Sequence, residues 1–148
     1  MKTLAQTLEL IQKLHGGVLD KGGEPYWMHP FSVMMLLPGY LPNEARHAAL
    51  LHDVVEDTDV TLEDLRDNYG YMYNVTHLVD HVTKDPTITY QENIDKIIDS
   101  GNVAAMEIKL ADNYHNMDRH RPYKISESMQ ERYTLSSWKL EDAIKGMK

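Results

Sequence analysis

The stretch from Ala48 to Thr58 concentrates the side chains in this sequence that are best suited to chemistry. At about 100° per residue, Glu56 lies about 40° from His52 on a helical wheel. Asp53 follows at about 100° and Asp57 at about 140°, opposite an apolar stripe. Three carboxylates this close repel one another, and a divalent cation would relieve the repulsion, because His and Asp are metal ligands. The alternative is a helix with a polar face and an incidental histidine.

A second segment, residues 109–117, places Asp112 and Asn116 four residues apart, on the same side of a predicted helix. Leu110 and Ala111 indicate that this helix is buried, where an unpaired Asp112 would be costly. Asp112 is therefore predicted to face a metal ion or another cation. Taken alone, a buried aspartate is more often a structural hydrogen-bond or salt-bridge partner.

A third segment places His29 beside Pro30, at or near the N-cap of a further predicted helix. The isolated histidine, the His52–Asp53 pair and Asp112 together supply two nitrogens and at least two oxygens. With one or two water molecules, this set would complete the coordination of Mn²⁺, Fe²⁺ or Zn²⁺.

The elements that must position these residues are helices, because no segment of five or more residues alternates as a strand would. Asn43, Thr61 and Asn102 are predicted helix caps, Thr61 through a capping-box variant with Asp64. We predict an all-α, compact bundle of seven or eight helices that forms a single domain over residues 1–148. The predicted helices span about 3–15, 26–37, 43–58, 61–69, 75–84, 91–100, 102–118 and 126–145.

Composition narrows the classes of function. Fifteen basic and 23 acidic side chains give a net charge of −8, which argues against general nucleic-acid binding. The chain has no cysteine, which excludes disulfides and thiolate chemistry. Glu9 and Lys13 interrupt the apolar core that a signal peptide needs, and no apolar run approaches the length of a membrane span. We therefore expect a cytoplasmic protein without a membrane or nucleic-acid partner.

Four blocks of sequence resemble the HD-domain superfamily, and within it the RelA/SpoT-type (p)ppGpp hydrolases. The similarity is greatest to small alarmone hydrolases that consist of the hydrolase domain alone. It extends from about His15 to Met117, and the central motif, a His-Asp pair followed by Glu-Asp-Thr, is the most specific part. The blocks are Gly-Glu-Pro-Tyr-Trp-Met-His-Pro (23–30), Ala-Leu-Leu-His-Asp-Val-Val-Glu-Asp-Thr (49–58), Leu-Val-Asp-His-Val-Thr-Lys (78–84) and Lys-Leu-Ala-Asp-Asn-Tyr-His-Asn-Met (109–117).

The resemblance implies an HD-domain helical bundle and a metal-dependent reaction that removes the 3′-pyrophosphate from the alarmone, giving GDP or GTP and pyrophosphate. It implies that the metal, usually Mn²⁺, is bound by His29, His52, Asp53 and Asp112. It implies that Glu56 and Asp57 orient and deprotonate the attacking water. It also implies that Lys21 and Asn116 hold the nucleoside and phosphates of a small-molecule nucleotide.

Two positions depart from the family pattern on the nucleotide side. Asp20 stands where relatives usually have arginine, and Asp118 where they often do. Asp20 is thus a candidate contact to the base, as an acceptor in place of a cation. The basic residues Arg119, Arg121 and Lys124 follow Asn116 and would either meet entering phosphates or form a solvated connection. Two alternatives remain open: hydrolysis of another nucleotide, such as an adenosine alarmone or a deoxynucleoside triphosphate, and a non-catalytic regulatory domain.

Overall fold

The computed structural model describes residues 1–118, 120–121 and 123–147. Within these ranges the chain forms nine helices and no strand, although Leu19 and Pro25 make an isolated antiparallel bridge. The all-α prediction is confirmed. The helices are α1 (Leu4–Leu14), α2 (Met28–Met35), α3 (Asn43–Leu51), α4 (Val54–Asp57), α5 (Leu62–Asp67), α6 (Tyr73–Val82), α7 (Tyr90–Asp99), α8 (Val103–Asn116) and α9 (Glu127–Met147).

Each predicted helix is present, but the central one is divided into α3 and α4. The backbone N–H of His52 donates to the Ala49 carbonyl at 3.4 Å, and the His52 ring Nδ1 meets the same oxygen at 2.6 Å. In a continuous helix, that oxygen would accept from the N–H of Asp53, four residues on. The prediction of one continuous helix is therefore wrong, because His52 occupies the carbonyl that the next turn needs.

Helix α3 is the centre of the core and packs against α1, α2, α6 and α8. Its alanines, Ala45, Ala48 and Ala49, are fully buried, and their small side chains let the neighbouring helices approach closely. Leu50 and Leu51 fill the space between them. A leucine buried this completely stabilises a fold by about 2–5 kcal/mol relative to alanine.

A buried polar network fixes α8 between α7 and α9. The side-chain amide of Asn113, which is fully buried, donates to Ser136 Oγ at 2.7 Å and accepts from the Tyr90 hydroxyl at 2.8 Å. A buried amide must find such partners, and they set the rotation of α8. Because Asp112 precedes Asn113, the network also determines where Asp112 lies.

The structure confirms two of the three predicted helix caps. Thr61 and Asp64 form a reciprocal capping box, and Asn102 Oδ1 accepts from the N–H of Ala105 at 3.0 Å. The predicted Asn43 cap is wrong, because Pro42 occupies the N-cap and Asn43 is the first helical residue. Among the described residues, no helix combines the length and the hydrophobicity that crossing a bilayer requires.

Candidate metal centre and adjoining cleft

Four side chains of metal-ligand type converge where α2, α8 and the turn between α3 and α4 meet. His29 Nε2 lies 2.8 Å from Asp112 Oδ1 and 3.8 Å from Asp53 Oδ2. His52 Nε2 lies 3.1 Å from Asp53 Oδ2 and 3.4 Å from Asp112 Oδ1. The exposed fraction of these residues is between 3% and 9%. The structure therefore brings together the four residues that the sequence singled out.

The chemistry of this group fits a cation. The Ala49 carbonyl can only accept, so His52 Nδ1 carries the proton that is donated to it, and Nε2 is the atom left to bind either a proton or a metal ion. Within the described residues, His52 Nε2 is buried without a hydrogen-bond partner, because neither nearby carboxylate has hydrogen-bond geometry. One oxygen of Asp53 and one of Asp112 face the same point. A buried set of converging acceptors is stable only around a positive charge.

The pKa values of these side chains also indicate that the group requires a positive charge. Burial alone would lower the pKa of His52, but the Asp53 and Asp112 carboxylates outweigh it and raise that pKa well above its usual value. Burial likewise opposes ionisation of Asp53, yet the His52 imidazole lowers its pKa to about 2. Asp112 stays ionised despite burial because Lys109, His29 and His52 hold its pKa well below the usual range. Both carboxylates are thus ionised, as metal ligands must be.

Each of these side chains is held from behind by a further group. The Tyr26 hydroxyl donates to Asp53 Oδ2 at 2.6 Å, and Lys109 Nζ lies 3.0 Å from Asp112 Oδ2. His29 Nδ1 lies 2.7 Å from His115 Nδ1, and the two rings stack at 4.9 Å. Such outer contacts fix the orientation and tautomer of metal ligands.

The sequence did not identify Tyr26, Lys109 or His115 as part of the site. Lys109 and His115 stand three residues before and three residues after Asp112, which is the spacing of one helix face. That spacing could have identified them. Tyr26 precedes α2, and its contact with Asp53 depends on tertiary structure alone. Burial lowers the pKa of His115 to about 4, with His29 and Arg121 contributing, so the ring is neutral near neutral pH.

The two predicted catalytic residues, Glu56 and Asp57, differ in their access to the cleft. Glu56 lines the cleft with His52 and Asp53, and its carboxylate accepts a hydrogen bond from the backbone N–H of Lys84. Desolvation raises the pKa of Glu56, although the hydrogen bond from Lys84 opposes the shift. Asp57 is not among the residues that line the cleft, and desolvation together with Asp53 raises its pKa. Of these two carboxylates, Glu56 is therefore the one that a molecule in the cleft would meet.

Three of the predicted nucleotide contacts form a chain that leads away from the metal centre. Asn116 Nδ2 donates to Asp112 Oδ1 at 3.3 Å, and Arg121 Nη1 donates to Asn116 Oδ1 at 3.3 Å. Arg121 Nη2 then pairs with Asp20 Oδ2 at 3.3 Å. Nearby, Lys21 Nζ donates to the Tyr123 hydroxyl at 3.3 Å. The predicted contact of Arg119 lies outside the described residues.

Two cavities meet at this chain of contacts. The cleft over the metal centre has a volume of about 260 Å³ and includes Tyr26, Glu56 and Tyr90 in its walls. A neighbouring cavity of about 470 Å³ is lined by described residues between α8 and α9, among them Met117 and Tyr123, and by the start of α9. Asn116 and Arg121 line both. A ligand that reaches from the metal centre into the second cavity would pass these two side chains.

Residues 7–135 match the family model of the HD domain. That match covers most of the chain, so the chain belongs to the HD-domain family. The ligand atoms of His29, His52 and Asp53 lie within 4.8 Å of one another. In a member of the HD-domain family, this geometry identifies the three residues as a group able to hold a divalent metal ion.

Curated relatives share this region. The chain is 36% identical over 132 residues to a GTP pyrophosphokinase of Streptomyces coelicolor, covering 84% of this chain and 15% of that protein. It is 38% identical over 113 residues to a guanosine-3′,5′-bis(diphosphate) 3′-pyrophosphohydrolase of Haemophilus influenzae, covering 70% and 16%. The bifunctional (p)ppGpp synthase/hydrolase SpoT of Escherichia coli is 35% identical over 127 residues, covering 79% and 18%. The chain thus spans less than a fifth of these relatives' lengths.

A solved structure has the same fold. It is a metazoan ortholog of SpoT that hydrolyses ppGpp, and it superposes with a TM-score of 0.75 at 29% sequence identity. The superposition covers 98% of this chain and 86% of that one. The HD-domain bundle expected from the sequence is therefore confirmed over nearly the whole chain.

Proposed function

We propose that this chain hydrolyses the 3′-pyrophosphate of (p)ppGpp-type alarmones in a reaction that depends on a divalent metal. The proposal is carried by one observation: in an HD-family chain, the unpartnered Nε2 of His52 faces two buried carboxylates beside Glu56. The relatives named for this reaction support the choice of substrate. Hydrolysis would consume one water, release pyrophosphate and leave a 3′-hydroxyl on GDP or GTP.

His29, His52, Asp53 and Asp112 would hold the metal. The resemblance to (p)ppGpp hydrolases favours Mn²⁺, and two imidazoles with two carboxylates would also accept Fe²⁺ or Zn²⁺. When bound, such an ion supplies Lewis-acid chemistry, which polarises a phosphoryl oxygen and makes water more acidic. The protein keeps its ligands in place through Tyr26 and the contacts around Asp112 and His29.

Glu56 would accept the proton of the attacking water. Its position in the cleft gives it access to the reacting group, and a raised pKa brings it closer to the working pH, as a general base requires. Asp57, the second member of the proposed pair, does not line the cleft. It would act on the water indirectly, through its negative charge and its hydrogen bonds. The leaving 3′ oxygen must gain a proton before the product departs.

The nucleoside and its 5′ phosphates would extend from the metal centre towards the second cavity. Asn116 and Arg121 line this path, and Lys21 stands beside it at Tyr123. Arg119 is proposed as a further phosphate contact from the sequence alone. These cations compensate locally for the overall charge of −8, which would otherwise repel a polyanionic substrate.

A second candidate is the hydrolysis of another nucleotide, such as an adenosine alarmone or a deoxynucleoside triphosphate. Asp20 favours this candidate, because the (p)ppGpp hydrolases that the sequence resembles usually have arginine at this position. The Asp20 carboxylate pairs with Arg121, which lines both cavities, whereas all four proposed metal-ligand residues are present.

The experiment is a turnover panel on protein stripped of metal and reloaded with Mn²⁺, Fe²⁺ or Zn²⁺. The substrates are the guanosine and adenosine 3′,5′-bis(diphosphates) and a set of deoxynucleoside triphosphates, with release of pyrophosphate or phosphate as the readout. Asp53→Ala should abolish both metal content and turnover, whereas Asp59→Ala, which removes an exposed aspartate from the same region, should change neither.

The proposal fails if the guanosine substrate is not hydrolysed with any of the metals. Turnover of the adenosine compound or a triphosphate alone would establish the second candidate. Stoichiometric metal in Asp53→Ala would show that the ion is bound elsewhere.

A further inference from the structure

The loop between α1 and α2 holds the Asp20 carboxylate rigidly. Asp20 Oδ1 accepts from the backbone N–H groups of Gly22 at 2.9 Å and Glu24 at 3.0 Å. The Asp20 N–H donates to the Glu24 carbonyl at 2.8 Å, and Gly23 closes the turn with a φ of 83°, which glycine adopts without strain. This oxygen is therefore fully used within the loop, and only Oδ2 is available for another residue.

That remaining oxygen binds Arg121, 101 residues further along the chain. Both side chains are largely buried, each with 14% exposure, so solvent screens the pair less than it would a surface ion pair. Asp20 lines neither the metal cleft nor the neighbouring cavity, whereas Arg121 lines both. The carboxylate thus faces the arginine, and the arginine faces the space for a ligand.

Among the described residues, the guanidinium of Arg121 has donors to spare. Of its five N–H donors, one on Nη2 meets Asp20 and one on Nη1 meets Asn116. Its flat face and remaining donors suit stacking on a nucleobase or pairing with a phosphate. Asn116 in turn contacts Asp112, so the position of the guanidinium is tied to the metal centre as well.

We propose that Asp20 is a positioning residue, which holds the Arg121 guanidinium across the cleft as the contact surface for the nucleotide between the metal centre and the second cavity. The inference rests on the proposed function for its ligand class, a nucleoside 5′-diphosphate. It assigns Asp20 no contact with the base. The carboxylate acts on the ligand only through Arg121.

The test measures binding of GDP to the Mn²⁺-loaded 148-residue chain by calorimetry, because GDP lacks the 3′-pyrophosphate and cannot be hydrolysed there. Arg121→Gln should raise the dissociation constant about 3- to 30-fold. Asp20→Asn keeps an oxygen for Gly22 and Glu24 but removes the charge, and it should raise the constant at least about threefold. Glu24→Gln, an exposed carboxylate in the same loop, serves as the control and should change nothing.

The decisive variant is the double one. Because Asp20 acts through Arg121, Asp20→Asn with Arg121→Gln should bind GDP as Arg121→Gln alone does, which is strongly non-additive. With the guanosine 3′,5′-bis(diphosphate) substrate, both single variants should raise KM and leave kcat within about twofold. This is the result expected when the lost contact is equally strong in the bound substrate and in the transition state. Asp20→Glu, which restores the charge, should recover part of the loss.

The inference is overturned if Asp20→Asn binds GDP like the wild type, if the two single effects multiply in the double variant, or if the wild type does not bind GDP. A lower unfolding midpoint in Asp20→Asn with unchanged GDP binding would likewise make the ion pair purely structural. GDP binding with no turnover of the bis(diphosphate) would instead refute the proposed function and leave the test of Asp20 intact.

Discussion

Tyr26→Phe removes one oxygen atom from a side chain that stands directly behind the proposed metal site. The Tyr26 hydroxyl donates to Asp53 Oδ2 at 2.6 Å, the same oxygen that lies 3.1 Å from His52 Nε2. Burial, together with Asp53, raises the pKa of Tyr26 well above its usual value, so the phenol remains a donor at any working pH. The variant therefore deletes a hydrogen bond to a charged ligand while keeping the aromatic ring.

The size of the effect follows from the charge of the acceptor. A hydrogen bond to an ionised group contributes about 1.5–3 kcal/mol, and each 1.4 kcal/mol is about tenfold in a dissociation constant. Without this bond, the Asp53 carboxylate is free to rotate away from the ligand geometry. We expect the dissociation constant for Mn²⁺ to rise about 10- to 100-fold, the range typical of lost outer contacts to metal ligands.

The assay is competition for Mn²⁺ against a chelating dye, with urea unfolding measured in parallel. Tyr71→Phe is the matched control, because the Tyr71 hydroxyl is also buried and lies 2.6 Å from Thr7 Oγ1, among residues that are not part of the site. It should lower the free energy of unfolding by about 1 kcal/mol and leave metal affinity unchanged. Wild-type affinity in Tyr26→Phe would refute the view that Asp53 is held for a metal.

Three further changes test other parts of the site and the fold. Glu56→Gln should keep its metal and lose turnover by roughly 10²-fold or more, and unchanged turnover would move the base elsewhere. His115→Leu should weaken metal binding about tenfold, whereas His77→Leu, which breaks a comparable contact between histidines on α6, should not. Burial lowers the pKa of His47, despite the opposing Glu44, so the unfolded chain takes up its proton first. The free energy of unfolding measured in urea should therefore fall as the pH drops below about 6.5, and less steeply in His47→Gln.

The helices were predictable because most of them bury one stripe of apolar residues. Val75, Leu78, Val79 and Val82 recur at helical spacing in the sequence, and all four are buried in the structure. Their pattern depends only on which side of the helix meets the core. The Asn43 cap was not predictable in the same way, because the start of α3 depends on the path of the chain through Pro42.

The candidate ligand set was accessible from residue types, whereas most contacts that hold it depend on tertiary structure. His29, His52, Asp53 and Asp112 stand out because buried histidines and carboxylates need partners. Tyr26 carries no such signal, since an aromatic residue is most often structural. The three-residue spacing places His115 beside Asp112, but it does not show that His115 meets His29. His115 reaches His29 only because α2 lies against α8. Tertiary packing supplies that contact, and local spacing does not contain it.

The break between α3 and α4 explains how two consecutive residues serve one site. In a continuous helix, the side chains of His52 and Asp53 would point about 100° apart, and only one could face the centre squarely. Here the His52 ring and N–H both use the Ala49 carbonyl, and Asp53 becomes the N-cap of α4. Both side chains are buried, and His52 Nε2 and Asp53 Oδ2 lie 3.1 Å apart. The hydrogen bond that breaks the helix also fixes the tautomer of His52, so one contact sets both the direction and the lone pair of this ligand.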